Sequence, residues 1–126
     1  MREGERLREN LLKVKTYAFA LQIVHLCRFL SQEQREFVLS KQLLRSGTSI
    51  GANVEEANQA QSKLDFIHKL SIAHKEAFET HYWLRLLRDS NYLEEAKAQP
   101  LLQECEQIQK MLTASIKTSK ANAVRK

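Results

Sequence analysis

Three glycines and one proline among 126 residues are too few for the tight turns of hairpins, Greek keys and sandwiches, so the bias is all-α. No stretch approaches the ~20 consecutive apolar residues of a membrane span. The chain opens on charged residues rather than on the apolar run of a signal peptide, and a cytoplasmic protein without a membrane partner is expected. The two cysteines, Cys27 and Cys105, stand far apart in apolar company and read as reduced packing residues, not as a disulfide or a metal pair. Catalytic patterns are equally scarce. None of His25, His68, His74 and His81 has the Glu-x-x-His spacing of a di-iron bundle; the nearest match, Asp65 with His68, is better explained by helix capping. Ser49 and Cys27 lack the histidine and carboxylate company of a nucleophile. The pairs Glu55/Glu56 and Glu76/Glu79 are ordinary charges at helical spacing. No cofactor, no metal and no enzymatic activity are expected.

What the chain does have is helical periodicity. From Tyr17 to Leu30 the only polar residues are Gln22, His25 and Arg28, one narrow stripe. A helix apolar most of the way round is covered on two sides. Ser31 followed by Gln34 fits a capping box that starts a second helix near residue 33, and Ser62 with Asp65 fits another that starts a third. Pro100 is predicted in the first turn of a fourth helix, after a short helical turn at 93–98. The pattern predicts helices at about 5–30, 33–61, 63–89 and 100–118, with a frayed basic C-terminal tail. Short links between four helices make residues 1–126 one domain, an up-down-up-down antiparallel four-helix bundle.

The stretch LLRSGTSIGANVEEANQA, residues 43–60, puts Gly47 and Gly51 in the middle of the second helix. Each costs roughly 1 kcal/mol relative to alanine there, and their spacing of four places them on one face. A patch without side chains lets another helix come close, within the bundle or from another molecule. A phosphate loop is excluded, because the glycine spacing, the lysine and the preceding strand are all missing.

These residues also carry a resemblance. LLRSGTSIGANVEEA resembles the signature of the bacterial four-helix-bundle family that includes proteins encoded in intervening sequences of large-subunit ribosomal RNA genes. Arg45, Ser46, Ser49, Ile50, Ala52, Asn53 and Glu56 stand at its motif positions, beside Gly47 and Gly51. In DFIHKLSIAHKEAFETHYWLRLL the residues Phe66, Ile72, Ala73, Glu79 and Thr80 match a second motif. The resemblance implies architectural roles for these polar residues, in hydrogen bonds between helices or subunits. A related accessory protein of diversity-generating retroelements shares the fold, forms a pentameric barrel and binds nucleic acid and its reverse transcriptase. A homo-oligomer, and a pentamer in particular, is what that relation implies here.

A net charge of +5 favours polyanions. In an up-down-up-down bundle the start of the first helix, the turn between the second and third and the end of the fourth share one end. Arg2, Arg6, Arg8, Lys13, Lys15, Lys63, Lys69, Lys117, Lys120, Arg125 and Lys126 are predicted to converge there, diluted by Glu3, Glu5, Glu9 and Asp65. The expected function is an oligomeric bundle presenting this basic end to RNA or DNA. The competing expectation is a protein-interaction module, such as an accessory subunit of a nucleic-acid enzyme. Tyr82, Trp83 and Tyr92 with Arg85 and Arg88 are better suited to close one end of the bundle than to stack on bases.

Overall fold

The computed structural model describes residues 3–124. Four helices, α1 (Glu3–Gln32), α2 (Leu39–Ala57), α3 (Lys63–Asp89) and α4 (Glu95–Val124), form an antiparallel up-down-up-down bundle. Each packs against the next, and α1 closes on α4. Phe19, Ile23, Leu30, Leu43, Ile50, Leu84, Leu87, Ile108 and Leu112 are withdrawn from solvent along the axis.

The glycines belong to this core. A methyl group built on Gly47 would lie 2.8 Å from Cγ2 of Ile23, and one on Gly51 would lie 3.3 Å from the carbonyl oxygen of Thr16. Both neighbours are on α1 of the same chain. The helix penalty of two interior glycines is accepted because it lets α2 ride against the α1 backbone, and the small-residue face is consumed inside one bundle.

Only α3 has the expected boundaries; those of the other helices differ. The Ser31 box is not made: α1 continues to Gln32 and the Ser31 hydroxyl donates back to the Arg28 carbonyl (3.1 Å). Residues 33–38 instead form a tight connection through Arg35, at φ 56°, and Glu36 caps α2. Its carboxylate accepts from the backbone N–H groups of Val38 (3.2 Å), Leu39 (3.0 Å) and Ser40 (2.7 Å). One carboxylate thus satisfies three donors that a helix start leaves orphaned, and it places negative charge at the positive end of the dipole. Burial pushes the Glu36 carboxyl up, but the backbone donors together outweigh it and hold the group below the ordinary carboxylate range. Glu36→Ala is therefore expected to cost about 1–2 kcal/mol at pH 7. Because the folded-state pKa is lowered, this contribution is present above the unfolded-state value and fades as pH falls through the folded one. Urea melts of both proteins at pH 7 and at low pH check it; a gap that does not narrow in acid would contradict the cap.

At its other end α2 stops at Ala57 rather than residue 61. Gln59 N–H and Ala60 N–H turn back to the carbonyls of Glu56 and Ala57 (3.0 and 3.1 Å), tightening the last turn so that Ser62 reaches its place. There the predicted cap does form, with Ser62 Oγ accepting from Asp65 N–H (3.1 Å).

The fourth helix is longer than expected in both directions. It begins at Glu95, with Pro100 in its second turn, where the missing N–H would have served the carbonyl of Ala96, close to a free helix end. It runs on to Val124 because its last turns are tied to α1. Arg8 donates to Thr118 Oγ1 (3.1 Å) and Asn122 donates to Glu5 Oε1 (3.1 Å), with Ser115 and Ser119 buried beneath. The helix is thus continuous to Val124, past the expected end at residue 118; Arg125 and Lys126 lie outside the described residues.

Candidate functional site

The two motif stretches are the two sides of one seam. On α2, Arg45 points at α3, where one guanidinium nitrogen donates to Glu76 Oε2 (2.8 Å) and another to Glu79. At the same level, facing inward, the hydroxyls of the adjacent Ser46 and Thr80 sit 2.9 Å apart in the core, and Thr80 also donates to the Glu76 carbonyl (2.8 Å). Further along still, Glu56 receives Lys69 (3.0 Å). Ser49 and Asn53 serve the helix itself: Ser49 Oγ donates to the Arg45 carbonyl (2.6 Å), and Asn53 Nδ2 donates to the Ser49 carbonyl (2.9 Å). Ile50 is fully buried. Burial raises the Glu79 carboxyl, but Arg45 together with Glu76 and Trp83 outweighs this and leaves it below its ordinary value. A carboxylate held ionised by a bonded guanidinium is a poor proton acceptor, so this arrangement fastens helices together rather than moving protons. Glu76, which is buried, is read from the sequence only as an ordinary charge paired with Glu79 at helical spacing; the structure makes it a member of the seam, on the same face as Glu79.

The cysteines are inert. Burial pushes the Cys27 thiol up to about 11 and the Cys105 thiol up to about 12, and each donates to a buried carbonyl, of Ser40 and Ala77 respectively. Among the described residues no group of three metal-ligating side chains converges, and no helix is long and apolar enough to cross a membrane.

The basic residues divide into engaged and unengaged ones. Lys13 pairs with Glu55 (3.6 Å), Lys15 with Glu104 (2.7 Å) and Lys69 with Glu56. Arg8 is held by Thr118, and Lys63 lies over the Phe66 ring, 5.7 Å from its centroid. Glu5 and Glu9 share a small cavity with Arg8 and Lys63. Arg6, Lys117 and Lys120 are exposed and have no carboxylate partner among the described residues. Arg2, Arg125 and Lys126 lie outside the described residues. The aromatic group separates as well: Trp83 packs against the core, while Tyr82 is half exposed and Arg88 is taken by Asp89 and Glu95.

Helix α1 carries a feature that composition alone suggested further along the chain. Leu7, Leu11, Val14 and Leu21 are 63, 55, 65 and 46% exposed, and with the exposed Ala18 they recur at alternate spacings of four and three. Tyr17 borders them, 62% exposed. The opposite face of α1 holds Leu12, Thr16, Phe19 and Ile23 in the core. The outward apolar stripe covers residues 7–21 rather than 17–30, because much of the second half is used inside the bundle.

Seams of this kind define a helical-bundle protein whose polar signature residues make hydrogen bonds within and between its helices. The chain belongs to the family of 23S rRNA-intervening sequence proteins, whose model matches residues 8–114. It is similar to a protein of unknown function from the S23 ribosomal protein family of Bacteroides thetaiotaomicron, whose crystal structure was solved at 1.70 Å. The two are 52% identical with a TM-score of 0.86, over 87% of this chain and 98% of that one. Among curated proteins nothing matches.

Proposed function

We propose that the protein is a non-enzymatic, cytoplasmic homo-oligomer whose subunits pack through the outer face of α1 and whose assembly binds RNA or DNA through its cationic surface. The observation that carries this reading is the exposed 7–21 stripe. A four-three repeat of apolar residues is the pattern by which one helix seats against another, and an apolar surface this continuous is costly to leave in water. The pentameric count follows from kinship with the retroelement accessory protein. Repetition matters for the second half of the proposal. A surplus of five positive charges is weak on one subunit, but displayed several times on a closed ring it engages a polyanion multivalently.

Light scattering after gel filtration is expected to give a mass several times 14.6 kDa, and Leu11→Glu with Val14→Glu is expected to reduce it to the monomer. Both side chains are more than half exposed, so the bundle itself should survive. Filter binding at low salt is expected to retain nucleic acid, less well for the monomeric variant and less well for Arg6→Glu with Lys63→Glu. A wild-type monomer would overturn the assembly; failure to retain either RNA or DNA would overturn the binding and leave the protein-interaction module.

A further inference from the structure

The outer surface shared by α3 and α4 has an unusual charge balance. Between residues 72 and 85 of α3 and 104 and 120 of α4 there are four carboxylates, and every one is occupied. Glu76 and Glu79 are drawn to α2 by Arg45, Glu104 is drawn to α1 by Lys15, and Glu106 accepts from His81 (2.8 Å) if that ring nitrogen carries the proton. Lys75, Arg85, Lys110, Lys117 and Lys120 have no carboxylate partner among the described residues. The two helices run in antiparallel register, with His74 bonded to Thr113 (2.9 Å) as His81 is to Glu106; Lys117 and Lys120 line a cavity with Ser71 and His74 across that seam, and helical spacing puts Lys75 and Arg85 on one side of α3, a track that the exposed Lys110 borders.

Two aromatic rings stand in that track. Phe78 is 54% and Tyr82 is 49% exposed, one helical turn apart. Neither is loose. The Phe78 ring meets His74 edge to face, at 5.0 Å between centroids, and Arg85 lies over the Tyr82 ring at 5.7 Å while donating to His81 Nδ1 (3.1 Å). We infer that this surface binds single-stranded nucleic acid, with successive bases stacking on Phe78 and Tyr82 and the phosphates running past Lys75, Arg85 and Lys110. Exposed rings flanked by unpaired cations are the two components of sequence-tolerant single-strand binding. Four residues along a helix rise about 6 Å, wider than the roughly 3.4 Å axial rise per nucleotide at which the bases of a duplex stack. Two neighbouring bases reach the two rings only when the strand is drawn out and its bases are unstacked, which a duplex does not allow.

The inference rests on the proposal that the protein binds nucleic acid, and it names a face other than the end carrying Arg6 and Lys63. Fluorescence anisotropy with a labelled oligothymidylate and with a duplex of equal length tests it on the full chain. Phe78→Ala with Tyr82→Ala is expected to weaken single-strand binding by about tenfold or more, since a base on an aromatic ring contributes about 1–3 kcal/mol. Duplex affinity and the salt slope should hardly move. Lys75→Glu with Lys110→Glu is expected to weaken both probes and flatten the salt dependence. Because all four side chains are exposed, thermal melts should match the wild type and confirm intact folding. Wild-type affinity in the aromatic variant would overturn the stacking track while leaving a purely electrostatic surface in place. A loss in the aromatic variant with none in Arg6→Glu/Lys63→Glu would establish the track and remove the basic end. No binding of either probe by the wild type would overturn both.

Discussion

Gly51→Leu is expected to lower stability by about 2 kcal/mol, although leucine is the better helix former by about 0.8 kcal/mol. The opposing term is overpacking, about 1–3 kcal/mol in a filled core, and here it falls at the upper end. The atom that a first carbon would meet, at 3.3 Å, is the backbone oxygen of Thr16, which cannot swing aside as a side chain does. Thr16 is itself fixed, its hydroxyl donating to the Leu12 carbonyl (2.8 Å), so relief requires α1 and α2 to separate. Gly4 supplies the control: nothing lies within 4 Å of a methyl group built there, and Gly4→Leu should change stability by no more than a few tenths of a kcal/mol. Gly47→Ala falls between them, because it presses on the branched and fully buried Ile23 side chain. Urea unfolding midpoints rank the three; a Gly51→Leu protein as stable as the wild type would mean that the close approach is not what the glycine is for.

The glycines show which parts of this molecule can be read from its sequence and which cannot. Two poor helix formers four residues apart signalled a close helix contact, but not whether the partner was α1 of the same chain or a second molecule. That choice depends on rotation of α2 about its axis, which is set by the whole core. Helix existence was legible because the apolar period persists over many turns, and Ser62 with Asp65 was legible because the cap is local. The start of α2 was not. Ser31 and Gln34 satisfy the local rule as well as any box, yet Glu36, buried and accepting three backbone donors, prevails by meeting more of the helix's unsatisfied groups. Pro100 misled in the same way, since a proline near a helix start is compatible with more than one register.

At the candidate sites the limit was pairing. Arg45 and Glu79 were recognisable as signature residues, but a sequence does not reveal that they face each other with Glu76 as a third member. Nor does it reveal that Lys13, Lys15 and Lys69 are engaged by carboxylates while Lys75, Lys110, Lys117 and Lys120 are not. Counting charges therefore directed attention to one end of the bundle. The unpaired cations also extend along the α3–α4 surface, where Phe78 and Tyr82 add apolar rings that no charge count registers.

The Arg45 cluster supports the remaining prediction, because removing its one cation strands two carboxylates. Arg45→Met is expected to destabilise the protein by about 2 kcal/mol at pH 7: breaking a buried pair costs about 3–5 kcal/mol, reduced here because the Arg45 side chain is 50% exposed and partly screened. Glu76 is the member that suffers most, since its side chain is 11% exposed and water cannot replace the lost donor. The pH dependence separates this from a packing defect. The Glu79 carboxyl is held below its ordinary value in the folded protein, so its contribution is present above the unfolded-state value and is lost as pH falls through the folded one. The wild type should therefore lose stability on acidification while Arg45→Met, which has already lost the pair, loses less, and the gap should narrow as pH falls below the unfolded glutamate value of about 4.3. Adding Glu79→Gln to Arg45→Met should restore part of the loss at pH 7 by removing repulsion between the two carboxylates. Denaturation across pH on the three proteins gives the answer: a gap that stays constant into acid would show that Arg45 acts through its hydrocarbon stem, packed along the α2–α3 seam, and not through its charge.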